Sequence, residues 1–266
     1  VETVVWHESS LVDAVADRSP TPAAADADVP GMEYVAPSRL RGPLTGVDAD
    51  AYRAFGPDLG AAVEGVCRAV DPDDTERDVA FGLHTALVDR GITPRVLHVA
   101  GADRAAYRSP TPTDADVGEM LRVRAVGERD GLHAGVTRMV AFADHPELAE
   151  AHRKATQVET SALGAVQGVA RFDGVVGSVH DGIAATFEHL GDPDGWRAGP
   201  VGGATGYERA EWTVRPGSST PVESPVACAF SPVVDGAAFG DTALVTEDGV
   251  EVVTATGDWP TGPVVA

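Results

Sequence analysis

The sequence predicts an α+β domain in which helices pack on a curved antiparallel sheet. Three observations carry that prediction. Helical and strand patterns follow one another as helices, a hairpin, more helices and closing antiparallel strands. Two Asp-Gly pairs, at 130–131 and 248–249, sit where alternating runs reverse direction. At 266 residues and 43% hydrophobic composition, the chain is long enough to bury a core of one large domain.

Residues 1–8 (VETVVWHE) read as a strand, residues 9–18 as a short helix with a serine cap, and residues 23–30 as another short strand. Residues 30–46 carry Pro or Gly every few positions and read as a linker. From Asp48 onward Tyr52, Phe55, Leu59, Val63, Val66, Cys67 and Val70 recur at helical spacing. Residues 71–91 form a second helix, with an acidic first turn and Gly91 as its stop. Residues 95–101 read as a strand, and residues 121–143 as a hairpin turning at 128–131. Residues 145–169 make a long amphipathic helix with Pro146 in its first turn, and residues 174–191 another that Gly191 closes. The remainder is β: residues 211–216, 224–234 and 242–256. No repeat has the length of a solenoid unit.

The formal charge is −21, from 41 acidic and 20 basic residues. That balance excludes a nucleic-acid binder, which needs clustered cations. Lys154 is the only lysine. An acidic, lysine-poor chain rich in Ala, Val, Gly and Asp has the composition of a protein from a salt-loving organism, where a Debye length of about 3 Å at molar salt screens self-repulsion. No apolar run approaches the roughly 20 residues of a membrane span, and no charged-then-apolar leader opens the chain, so a cytoplasmic protein is expected. Position 1 is Val, which predicts a piece of a longer chain. Cys67 and Cys228 lie far apart among apolar neighbours and read as buried small hydrophobes.

Four segments stand in an order that resembles one family. Residues 131–142 (GLHAGVTRMVAF), 202–212 (GGATGYERAEW), 240–254 (GDTALVTEDGVEVVT) and the helical stretch from Tyr52 to Ala80 resemble the pita-bread hydrolases. These include methionine aminopeptidase, aminopeptidase P, prolidase and creatinase. The resemblance spans about residues 45–260. It implies a pita-bread domain over residues 46–266, a tail of a small α/β domain plus linker over residues 1–45, and a homodimer.

Active members of such a family hold two metal ions with two Asp, one His and two Glu. By the resemblance, those positions fall here on Arg124, Gly135, Gly199 or Pro200, Ser231 and Gly240. None of these residues is a hard-oxygen or imidazole donor, and Arg124 brings a cation to a cation's place. A metal-free route through a loop histidine meets Ser109 instead. No metal and no cofactor are therefore expected.

The expected ligand pocket comprises Arg108, Ser109, Arg124, Gly135, Arg138, Gly202, Gly203, Tyr207, Ser231, Gly240 and Asp241. Arg108, Arg124 and Arg209 suit a small peptide or carboxylate ligand, or are separate surface arginines. Arg138 reads either as a structural partner of Asp241 or Glu211 or as a carboxylate anchor. His133 and Glu211 are the catalytic candidates of an alternative reading, with Glu128 and Asp130 beside them in the hairpin turn. His98 reads as core, while His84, His145, His152, His180 and His189 read as mostly surface helix residues. Two functions follow. The first is a non-catalytic binding or assembly module on a peptidase-like scaffold; the alternative is a hydrolase of X-Pro peptides or small amides, working without metal or with another ligand set. Gly202, Gly203 and Gly206 fit the first, because close backbone packing still requires them after the histidine has gone.

Overall fold

Hydroxyl caps decide where the helices begin. The computed structural model describes residues 10–35, 41, 43–260 and 264–265, and the chain divides into two units, residues 1–42 and 43–266. In the first unit the Ser10 hydroxyl accepts from the backbone N–H groups of Val12 and Asp13, starting α1 (Leu11–Arg18). β1 (Ala24–Ala25) and β2 (Glu33–Tyr34) pair in parallel. The strand expected over residues 1–8 lies outside the described residues. The strand expected over 23–30 shrinks to β1, and the expected linker over 30–46 contains β2: after the turn at Gly31, Glu33 and Val35 donate to Ala23 and Ala25.

In the second unit Thr45 and Thr75 each exchange hydrogen bonds with an Asp three residues on, Asp48 and Asp78. These capping boxes start α2 (Gly46–Cys67) and α3 (Glu76–Val88). β3 (Thr93–Gly101) follows, then β4 (Met120–Arg129) and β5 (Leu132–Ala141). The β4–β5 turn is made by Asp130 and Gly131, both at positive φ, the geometry that matches the twist of a two-residue hairpin. α4 (Pro146–Ala170) and α5 (Val176–His189) come next. The chain then runs through β6 (Gly202–Thr205), β7 (Trp212–Thr213), β8 (Val226–Phe230), β9 (Val233–Val234), β10 (Ala237–Ala238), β11 (Thr242–Val245), β12 (Val250–Val252) and β13 (Val264–Val265).

The strands form two principal sheets, in the orders β13-β5-β4-β3 and β12-β11-β8-β6-β7. They join along β5. Thr137 N donates to Gly240 O at 2.8 Å, and the Thr242 hydroxyl bridges the N–H and C=O of Gly135 at 2.8 and 2.9 Å. Helices cover each sheet. Tyr52, Phe55 and Leu59 of α2 and Leu83 and Leu87 of α3 pack with Val123, Ala125 and Val136 of β4 and β5. Val158, Ala162 and Val166 of α4 and Ile183 and Phe187 of α5 pack with Cys228 and Ala243. Each large side chain buried this way contributes roughly 1.5–3 kcal/mol by transfer from water. Cys67 and Cys228 are free and buried in these two cores.

Two expectations change here. Gly202–Thr205, left out of the expected strands, is strand β6, and His152 and His180, read as surface, are buried at 1% and 8% exposure. His180 lies on the stripe of Val176, Val179 and Ile183 that faces the core. No helix among the described residues is long and apolar enough to cross a membrane.

Candidate functional site

Alternation along β4 sets Arg122 and Arg124 on one face of the sheet. In register, Arg124 is flanked by His98 on β3 and Thr137 on β5. The hairpin β9–β10, turned by Asp235 and Gly236 at positive φ, sets Val233 and Ala238 opposite them. Arg108 and Ser109, ahead of β4, and Pro200, ahead of β6, close the sides. The Ser231 hydroxyl hydrogen-bonds to that of Thr137 at 2.8 Å. These residues enclose a cavity of about 100 Å³. Arg124 and Pro200 also border a second cavity of about 230 Å³, lined by Gly135, Gly202, Gly203, Arg209, Trp212 and Arg215.

The electrostatics of this pair of cavities run against the rest of the chain. Arg122 is 4% exposed and donates to the backbone carbonyls of Tyr107 and, at 3.2 Å, Gly236. Burial, with Arg108 and Arg124 beside it, pushes its pKa down to about 10. Burial and the charges of Arg209 and Arg108 also lower the pKa of Arg124, and burial lowers that of Arg108. Arg108 Nη1 donates to Pro200 O at 3.0 Å, while its Nη2 is buried without a partner. His98 Nδ1 is likewise buried and unpartnered; burial first, then Arg124, Arg122 and Arg209, hold the ring below its usual pKa. No Asp or Glu among the described residues lines either cavity.

Of the positions matched by resemblance to metal ligands, Ser231 alone carries a side-chain oxygen donor, and its hydroxyl is bonded to that of Thr137. Arg124 is a guanidinium, and Gly135 leaves ordinary contact distance where a side chain would project. At Gly199 (φ +143°) an added Cβ would meet the Arg108 guanidinium at 3.3 Å, so Arg108 occupies the room of any side chain there. At Gly240 a Cβ would lie 2.1 Å from Phe230 O, which bars every other residue from this backbone. Gly203 is held the same way, 2.1 Å from Trp212 O, because β6 is clasped between β7 and β8. Among the described residues no group of three or more His, Cys, Asp or Glu is arranged to hold a metal.

Of the expected pocket, Arg108, Ser109, Arg124, Gly135, Gly202, Gly203 and Ser231 line one cavity or the other. Arg138, Tyr207, Gly240 and Asp241 line neither. Arg138 and Asp241 pair at 2.8 Å in a buried network, and the Tyr207 hydroxyl donates to Asp48 at 2.6 Å. The catalytic candidates are also elsewhere. His133 contacts Gly206 O at 3.2 Å, and Glu211 accepts from Glu208 N at 2.9 Å. Glu128 is paired with Arg95 and the Gly131 N–H, and Asp130 is in the exposed turn. Sequence reasoning missed Arg122, Arg215 and the position of His98. The Arg-Val-Arg run at 122–124 carried the information for Arg122, since residues two apart in a strand share a face.

No protein-family model and no curated protein matches this sequence. Solved structures do. The X-Pro aminopeptidase from Thermotoga maritima superposes with a TM-score of 0.75 over 88% of this chain and 68% of its own, at 16% identity. The dipeptidase PepE from Mycobacterium ulcerans gives 0.76 over 90% and 66%, at 20% identity. The N-terminal domain of the FACT complex subunit SPT16 from chickpea gives 0.66 over 85% and 62%, at 14% identity. The chain spans about two thirds of the length of these structures. It is an α+β protein. Its fold is the pita-bread fold of X-Pro aminopeptidases and prolidases.

Proposed function

We propose that this chain is a non-catalytic binding module, a pita-bread domain whose metal cavity has become a pocket for an anion such as a small carboxylate or the end of a peptide. One observation carries the reading: Arg108, Arg122 and Arg124 line a cavity that no carboxylate lines, and Arg124 stands where the resemblance places a metal-binding Asp. Guanidinium groups replace the positive charge of the ions, and an anion is what they complement. Gly240 and Gly203, where no side chain fits, agree with a scaffold retained for its packing. One neighbour in fold is named as a subunit of a complex and not as a peptidase, which agrees with a binding role. The homodimer implied by the resemblance belongs to the same proposal, and sedimentation tests it.

The experiment is a melting curve in molar KCl with and without manganese, cobalt or zinc, alongside a hydrolysis assay on X-Pro dipeptides. An ion that binds the folded state raises the melting temperature as its concentration passes its Kd. The expected result is no metal-dependent shift and no hydrolysis. Stoichiometric metal with a rising melting temperature, or turnover of an X-Pro dipeptide, overturns the reading in favour of an active hydrolase.

A further inference from the structure

Resting on that reading, we propose that the anion is a phosphate group, free or at the end of a small phosphomonoester. Charge is the first argument. Arg108, Arg122 and Arg124 bring three guanidinium groups to one small cavity, where burial and then the charges of Arg108 and Arg124 lower the pKa of Arg122. A monocarboxylate carries one charge and two coplanar oxygens, and leaves most of that cluster uncompensated. A phosphate carries about −1.5 to −2 charges near pH 7 and up to four oxygens in a tetrahedron.

Donor geometry is the second argument. Arg122 and Arg124 rise from the sheet, Arg108 comes from the segment ahead of β4, and the hydroxyls of Ser109 and Ser231 lie on the same lining. These residues come from three separate segments of the chain, which suits an acceptor with oxygens on several sides. The carbonyls of Tyr107 and Gly236 hold the Arg122 guanidinium, and Pro200 O holds one end of that of Arg108. The other end of Arg108, Nη2, is the buried donor without a partner. A buried donor left unpaired costs about 1–3 kcal/mol, which a bound oxyanion relieves.

Size is the third. The cavity is small, about 100 Å³, a size that suits a single oxyanion. The adjoining cavity of about 230 Å³ shares Arg124 and carries Trp212 and Arg209, so it receives whatever the phosphate is attached to.

The test is calorimetric titration of the full chain with inorganic phosphate, phenyl phosphate and acetate, at one fixed KCl concentration. Phosphate is expected to bind at least tenfold tighter than acetate. Arg124→Gln and Arg108→Gln should each weaken phosphate at least tenfold while circular dichroism shows a folded chain. Should the first fail to fold, the second, made on a half-exposed segment, carries the test. A further gain with phenyl phosphate identifies the phosphomonoester as the source, and no gain identifies the free ion. Acetate binding as tightly as phosphate overturns the phosphate inference and leaves the carboxylate module standing. Binding of neither anion overturns both.

Discussion

The two faces of the β4–β5 hairpin carry arginines in opposite circumstances. Arg138 is 1% exposed and fully matched: its guanidinium contacts Glu64 at 3.0 Å and Asp241 at 2.8 Å. It also donates to the carbonyls of Thr137 and Gly240 and lies 5.2 Å from the Phe239 ring centre. On the other face Arg122 is buried with two carbonyls, and Arg124 has no hydrogen bond or ion pair to a described residue. A buried cation supplied with counterions from its own chain belongs to the structure. A cation shielded from water without them fits the proposed ligand site, since native proteins rarely leave such groups unmatched.

The sharpest break of this comparison is Arg138→Met. It removes the cation and leaves the Glu64 and Asp241 carboxylates buried and facing each other's charge. The expected cost is about 3–5 kcal/mol, the range for breaking one partner out of a buried pair, measured by urea denaturation. A loss below about 1 kcal/mol would mean that water or another group already serves these carboxylates, and the contrast between the faces would lose its basis.

Glu159 sharpens the same point from the acid side. Its carboxylate accepts from Asp241 N at 3.2 Å, and burial followed by the charge of Asp241 raises its pKa to about 8. The folded chain therefore keeps a proton on Glu159 that the unfolded chain loses near pH 4.5. Between those values the folded state binds the extra proton, so this group makes stability fall as pH rises through the window. Below pH 4.5 it has no effect, and above about 8 the loss is complete. Glu159→Gln, which mimics the protonated form, should flatten the fall in melting temperature between pH 5 and 8. An unchanged slope would show that another group carries it.

Arg124→Met tests the unmatched face. With no counterion to strand, exchanging this half-buried cation for an apolar chain should leave the denaturation midpoint unchanged or raise stability by up to about 1 kcal/mol, as with other uncompensated buried charges. In phosphate the wild-type chain should gain stability and the variant should not. A loss above 1 kcal/mol in the absence of anions would place Arg124 with Arg138 among the structural arginines.

What the sequence made legible follows the same division between local and long-range causes. Asp130 with Gly131 acts within two residues, so the β4–β5 turn could be placed closely; the second helix, expected from residue 71, starts only at Glu76, where Thr75 and Asp78 form its capping box. β6 was unreadable because glycines weaken strand propensity; it is a strand only because β7 and β8 close on it. The β9–β10 hairpin hid its Asp235-Gly236 turn between strands of two residues each. Arg124 was found through resemblance and Arg122 was readable from its spacing on the same strand, but His98 becomes a neighbour of Arg124 only through strand register. His152 shows the limit of helical pattern: its ring packs edge-on against Phe239, 87 residues further along the chain. Both its ring nitrogens lack partners, and burial holds its pKa near 4.

The smallest effect is expected where a matched arginine is exposed. Arg53 of α2 meets Glu251 of β12 with two parallel hydrogen bonds, at 3.0 and 2.8 Å, and Asp50 at 2.9 Å. By partner count it resembles Arg138, yet its side chain is 48% exposed. Water solvates the separated charges almost as well as they solvate each other, and salt screens what remains. Arg53→Gln should therefore leave the denaturation midpoint unresolved from wild type in molar KCl, with a slight drop emerging only as salt is lowered. A loss in molar KCl comparable to that of Arg138→Met would show that the number of partners, and not the removal of water, decides what an arginine does in this fold. The reading of Arg122 and Arg124 as ligand groups rests on the opposite ordering: burial sets the cost of an unmatched charge, and an anion brought from outside is what lowers it.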